Sequence, residues 1–173
     1  MDNESLRNKL IALHSGDKIA FEEIYNHLKT PMYTIILRIT QDRSFSEDIL
    51  QEVFLKLYQS PPEPSIRKPR AYLFRMARNL AIDNVRKLPQ YANWDNIENI
   101  VHLPLDDFSA RMDIDHAMKT LSLQECQIVS LRINGGLKFR EISDVMGIPL
   151  GTVLWRYRKG ITQLQSVLSG GAT

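Results

Sequence analysis

Apolar side chains recur at steps of three and four along most of the chain, and the every-second-residue alternation of strands is almost absent. Residues from about 5 to 15 and 17 to 40 read as two helices parted by Ser15-Gly16-Asp17, with Asp17 placed to cap the second. The second carries Ile19, Phe21, Ile24, Tyr25, Leu28, Met32, Ile35, Ile36 and Ile39 as a core-facing stripe. Pro31 is expected to kink or divide it. A third helix is expected near Ser44, where Ser44 and Glu47 fit a capping box and Phe45, Ile49, Val53 and Leu57 line one face. SPPEPSIRKP (60–69) holds four prolines and must be a loop. A fourth helix runs from about Arg70 to Lys87, and Pro89 stops it.

Residues 88–112 lose the periodicity and read as a linker, rich in Asn and Asp with two prolines. Helices resume near Ile114, and SGGAT at the end is expected to fray. Within the C-terminal unit, residues 137–160 follow a helix-turn-helix pattern. Phe139, Ile142, Val145 and Met146 give a short helix an apolar face, and Gly147 can supply a turn with φ > 0. Ser143 is small where two helices cross. Pro149 is expected at the first position of the next helix, from which Val153 packs back. The polar face of that helix offers Thr152, Arg156, Arg158 and Lys159 to phosphates and base edges, with Lys138, Arg140 and Trp155 nearby. The competing reading is a plain helical hairpin with a solvated basic face. The whole reads as all-α: two small helical domains (1–88 and 113–173) joined by an acidic flexible linker (89–112).

Charge sharpens this layout. The 173 residues hold 22 Lys and Arg against 20 Asp and Glu, a net charge of +2, with 43% hydrophobic residues. Residues 1–87 are net +3, 88–112 net −3 and 113–173 net +2, so two basic blocks flank an acidic segment. The apolar run Met32–Ile39 is far short of a membrane span, and the acidic N-terminus does not resemble a secretory signal. The single cysteine, Cys126, reads as a small buried hydrophobe, in keeping with a reducing cytoplasm.

Two further helices carry candidate chemistry. Between Arg67 and Lys87 stand seven basic residues and one acid, Asp83. At about 100° per residue, Leu73, Ala77, Leu80, Ala81 and Leu88 share one side, and Arg75, Arg78, Asn79, Ile82 and Arg86 the other. With Tyr72 and Phe74 near its start, this stripe suits a nucleic-acid backbone, an anionic membrane surface or plain solvation. In SFSEDILQEVFLKLYQ (44–59) the polar face holds Asp48, Gln51, Glu52 and Gln59 around Leu55, which fits either a protein-docking face or a lone surface Leu. His14, His27, His102 and His116 are scattered, and no HExxH, P-loop, GxGxxG or GxSxG occurs. No catalysis, metal or cofactor is therefore expected. A helix-turn-helix regulator that binds duplex DNA alone would explain 137–160 but leave the helices at 44–59 and 70–87 without roles.

The order and spacing of GDKIAFEEIY (16–25), SEDILQEVFLKLY (46–58), PRAYLFRMARNLAIDNVRK (69–87) and LSLQECQIVSLRINGGLKFREISDVMGIPLGTV (121–153) resemble the extracytoplasmic-function (ECF) sigma factors, bacterial RNA polymerase specificity subunits. The resemblance implies that Asp48, Gln51, Glu52 and Leu55 dock on the core polymerase. It implies that Arg75, Arg78, Asn79 and Arg86 read the minus-ten element, with loop 60–69 capturing a flipped-out base. The acidic linker would thread the nucleic-acid channel. The helix-turn-helix, with Lys138, Arg140, Thr152, Trp155, Arg156, Arg158 and Lys159, would read the minus-thirty-five element. An anti-sigma factor is an expected partner. Where the family often has a basic residue and Ser before the recognition Arg, this chain has Leu154 and Trp155. Those side chains have three possible fates: thymine methyls, the interior, or a partner.

Overall fold

The computed structural model describes residues 1–63, 65–88 and 112–170. Eight helices and no strand occur among them. Aspartates start the first three. Asp2 caps α1 (Asn3–His14) through the Ser5 N–H at 2.8 Å, and Asp17 caps α2 (Lys18–Thr40) through the Ile19 and Ala20 N–H groups. Asp42 caps α3 (Arg43–Gln59) through the Phe45 N–H at 2.7 Å. Ser44, the expected cap, therefore lies within the first turn, exposed to solvent. Pro69 opens α4 (Pro69–Arg86), where a missing N–H has no helical partner to lose. Pro31 does not divide α2, which runs through it. The proline forfeits one backbone bond, but Leu28 and Met32 on either side are fully buried and hold the segment in place.

Helix α2 is the centre of the N-terminal half, packing on α1, α3 and α4. Leu6, Leu10, Ile24, Leu28, Ile35, Ile36, Ile49, Leu57, Leu73 and Phe74 fill the space between. Burying a side chain of this size stabilises the fold by roughly 1.5–3 kcal/mol before entropy is counted.

The C-terminal half comprises α5 (Met112–Lys119), α6 (Leu123–Ile133), α7 (Phe139–Met146) and α8 (Leu150–Gly170). Ser122 and Glu125 form a reciprocal capping box that starts α6. Every residue of α6 from Leu123 to Leu131 is buried, Gln124, Glu125, Gln127 and Ser130 included. A helix covered all round must lie between layers. One side of α6 packs on α2 and the other on α8, while α7 packs on α4. The core of the first half thus continues through Leu123, Ile128, Leu131, Leu137, Ile142, Val145, Met146 and Val153. Cys126 is fully buried in a smaller cluster with Met118, Leu121 and Val129. The acidic linker, apart from Leu88 and Met112, lies outside the described residues, as do the last three residues of the chain; Ser169 and Gly170 belong to α8.

Candidate functional site

The turn between α7 and α8 is built as its residues dictate. Gly147 adopts φ 68°, the left-handed region where a side chain is strained, and its N–H donates to the Ser143 carbonyl at 2.9 Å. The Ser143 hydroxyl in turn donates to the Ile148 carbonyl at 2.6 Å and ties the turn back to α7. Pro149 stands one place earlier than expected, as the residue whose carbonyl accepts the first helical bond, from Val153 at 3.1 Å. Val153 is fully buried, and Phe139 meets Tyr157 edge-on with ring centroids 5.0 Å apart.

This packing fixes the rotation of α8. Leu154, Thr152 and Arg156 are half-buried, and Trp155, Arg158 and Lys159 face out with Gly151. Lys138 and Arg140, at the start of α7, are exposed as well. Helix α8 contains no Asp or Glu. Lys159 is pinned 2.8 Å from the buried carboxylate of Glu125. Burial works to raise that carboxyl, but hydrogen bonds from Lys159 and Ser122 outweigh it and hold its pKa below the ordinary value.

On α3 the structure gathers Asp48, Gln51, Glu52 and Leu55 on one outward face. Leu55 is 54% exposed, and Glu52 pairs with Lys56 one turn on at 2.8 Å. Beside this face lies an aromatic cluster that the periodicity alone did not single out. Phe21, Tyr25, Phe54 and Tyr58 meet mostly edge to face, with Tyr25 and Tyr58 partly in solvent.

Helix α4 divides its expected stripe. Arg75, Asn79 and Arg86 are exposed, but Arg78 is only 7% exposed. Its Nε donates to the Gln127 Oε1 at 2.8 Å, so α6 lies across it. A cavity of about 290 Å³ opens beside this contact, lined by Arg78, Asn79, Ile82, Asp83, Arg86, Leu123 and Gln127. The helical projection grouped Arg78 with solvent because nothing local reveals which helix will cross that face. Three residues that projection left out fasten the halves together. Arg70 donates to the Gly135 carbonyl at 2.6 Å and to the Met1 carbonyl at 2.7 Å. Asn3 donates to the buried Glu141 at 2.6 Å, and Lys68 pairs with Asp144 at 2.5 Å. Burial lowers the Arg70 pKa, with Glu141 opposing. Among the described residues there is no cluster of His, Cys, Asp or Glu able to hold a metal, and no helix long and apolar enough to cross a membrane.

Comparison with known proteins matches residues 24–89 to Sigma-70 region 2 and residues 117–166 to Sigma-70, region 4. The chain belongs to the ECF sigma factors. As such, it directs transcription initiation by RNA polymerase. The sigma factor is 28% identical to the ECF RNA polymerase sigma factor SigK of Mycobacterium tuberculosis, over 88% of its length and 87% of the relative's. It is 27% identical to SigW of Bacillus subtilis, over 94% and 96%. Its fold matches that of CnrH, solved in complex with the cytosolic domain of CnrY, with a TM-score of 0.70 at 18% identity; the match covers 96% of this chain and 98% of that one. RpoE of Bartonella quintana, solved with the anti-sigma factor NepR, matches with a TM-score of 0.66 at 18% identity, over 86% and 96%. In the sigma factor, region 2 thus takes in α3 and α4, and region 4 takes in the helix-turn-helix.

Proposed function

We propose that the three faces divide the work of initiation. Asp48, Gln51, Glu52 and Leu55 on α3 dock on the core polymerase. Arg75, Arg78, Asn79 and Arg86 on α4 hold the opened minus-ten strand, with loop 60–69 at its edge. Lys138, Arg140, Thr152, Trp155, Arg156, Arg158 and Lys159 meet the minus-thirty-five duplex. The functional units are 1–88 and 113–173, and the acidic stretch 89–112 joins them within the polymerase channel. The factor works in the cytoplasm and catalyses nothing itself. An anti-sigma factor is its expected inhibitor, a reading supported by the complex of RpoE with the anti-sigma factor NepR.

The observation that carries this reading is the segregation of charge. One exposed face, on α3, mixes acid and amide around a Leu, and two others, on α4 and α8, are cationic. Cationic faces gain affinity for nucleic acid by releasing phosphate counterions. Holding a strand with unstacked bases repays a cost of a few kcal/mol. The reading also requires α6 to leave Arg78, so the halves part when the minus-ten strand is engaged. Run-off transcription with purified core polymerase on genomic fragments tests it. New start sites that depend on the added chain are expected. Tight, specific duplex binding by the chain alone, without redirected initiation, would point instead to a stand-alone regulator.

A further inference from the structure

We propose that Trp155 is an apolar specificity determinant, and that it recognises the 5-methyl group of a thymine in the major groove. The proposal rests on the reading of α7 and α8 as the duplex-binding unit. Its starting point is the pair Leu154-Trp155, two bulky apolar residues at the head of a cationic helix. The structure separates their fates. Leu154 is half-buried, while Trp155 is 58% exposed on the outward face.

The surroundings specify what the indole can meet. One turn earlier stands Gly151, exposed, where an added Cβ would touch nothing within 4 Å. Helical side chains lean toward the N-terminus, so the indole has open room over the first turn of α8. That first turn is the part of a recognition helix that reaches base edges. The ring is held on its flanks by cations. The Arg156 guanidinium lies 5.9 Å and the Lys159 ammonium 5.5 Å from its centroid, and Lys159 is itself pinned to buried Glu125. Glu125 of α6 offsets Lys159, but α8 has no acid of its own, so Arg156 and Arg158 keep the rim cationic.

A cationic rim selects a polyanion, yet a large apolar group at its centre needs an apolar counterpart. Within the major groove of duplex DNA, the only such group on a base edge is the thymine methyl. A protein partner would have to supply both acids and an apolar pocket.

The test uses the sigma factor assembled with core polymerase. Wild type selects duplexes from a library randomised across the upstream element. Each thymine of the selected site is then replaced singly by deoxyuridine, which removes only the methyl. Loss of one buried methyl contact corresponds to about a fourfold weakening. Wild type is expected to weaken by about that factor at one thymine. Trp155→Ala is expected to bind the thymine duplex about as weakly and to be indifferent to deoxyuridine, while Trp155→Phe keeps part of the discrimination. Unchanged circular dichroism and thermal unfolding of both variants show that the exposed site is not a folding element. If wild type ignores every deoxyuridine, or Trp155→Ala keeps the same sensitivity, the thymine assignment is wrong and only the duplex reading survives. If wild type with core polymerase selects no sequence at all, the duplex reading falls and takes this one with it.

Discussion

The Glu125–Lys159 contact shows how one carboxylate serves both fold and surface. Glu125 closes the capping box of α6 and fixes a cation beside Trp155. Its folded pKa lies below the ordinary value of 4.5, so its contribution to stability is complete above that pH and is lost as the pH falls below 4.5 toward the folded value. Lys159→Met removes the opposing charge and leaves burial to raise the carboxyl. Thermal unfolding followed by circular dichroism is expected to show the variant's loss of stability in full near neutral pH, where the buried carboxylate is charged and has lost its lysine, and to show that loss shrinking as the pH falls and Glu125 is protonated in both proteins. Asn79 makes a separate prediction, since it is exposed on α4 beside the cavity. Asn79→Ala is expected to weaken open-complex formation by roughly tenfold, the scale of one lost hydrogen bond, and closed-complex binding much less. Permanganate reactivity set against footprinting measures the split, and equal losses would remove Asn79 from the melted strand.

Elements were legible wherever the signal was local. Asp17 declared the start of α2, Pro69 and the prolines before it the break before α4, and Gly147 with Pro149 the helix-turn-helix. The cap of α3 was misplaced because Ser44-x-x-Glu47 and Asp42 are both valid starts, and only the path out of α2, through Gln41 at φ 57°, selects Asp42. The fates of Leu154 and Trp155 were not legible, because they depend on how α8 is rotated by Val153 and Tyr157 in the finished core. At Gly147 an added Cβ meets nothing within 4 Å, so the cost of Gly147→Ala is conformational alone. Thermal unfolding is expected to show about 1–2 kcal/mol lost, with Gly147→Asn milder. For α3, the double change Asp48→Lys and Glu52→Lys alters exposed or half-exposed positions only. It is expected to abolish co-purification with core polymerase while leaving the unfolding curve nearly in place; retained co-purification would move the docking face elsewhere.

At the scale of the molecule, the expectation of two modules meets a structure in which one core runs through both. The charge blocks and family-like stretches led to the expectation of two modules. They carried no information on Arg78–Gln127, Arg70–Gly135 or Asn3–Glu141, pairs far apart in sequence whose partners are set only by docking. These polar contacts suit an interface that must reopen, since hydrogen bonds exchange for water with a net cost of only about 1 kcal/mol each. Gln127→Arg places a second guanidinium against Arg78. It is expected to favour the parted state and to strengthen binding of a single-stranded minus-ten oligonucleotide by the free protein; unchanged binding would mean that α6 does not gate α4. The chain's one thiol, sealed inside at Cys126, makes such movement easy to watch. Dyes attached at Ser44→Cys and Thr162→Cys, both exposed positions, would report the span between the halves with no background labelling, so the native residue can stay in place and the ruler reads an otherwise unaltered protein.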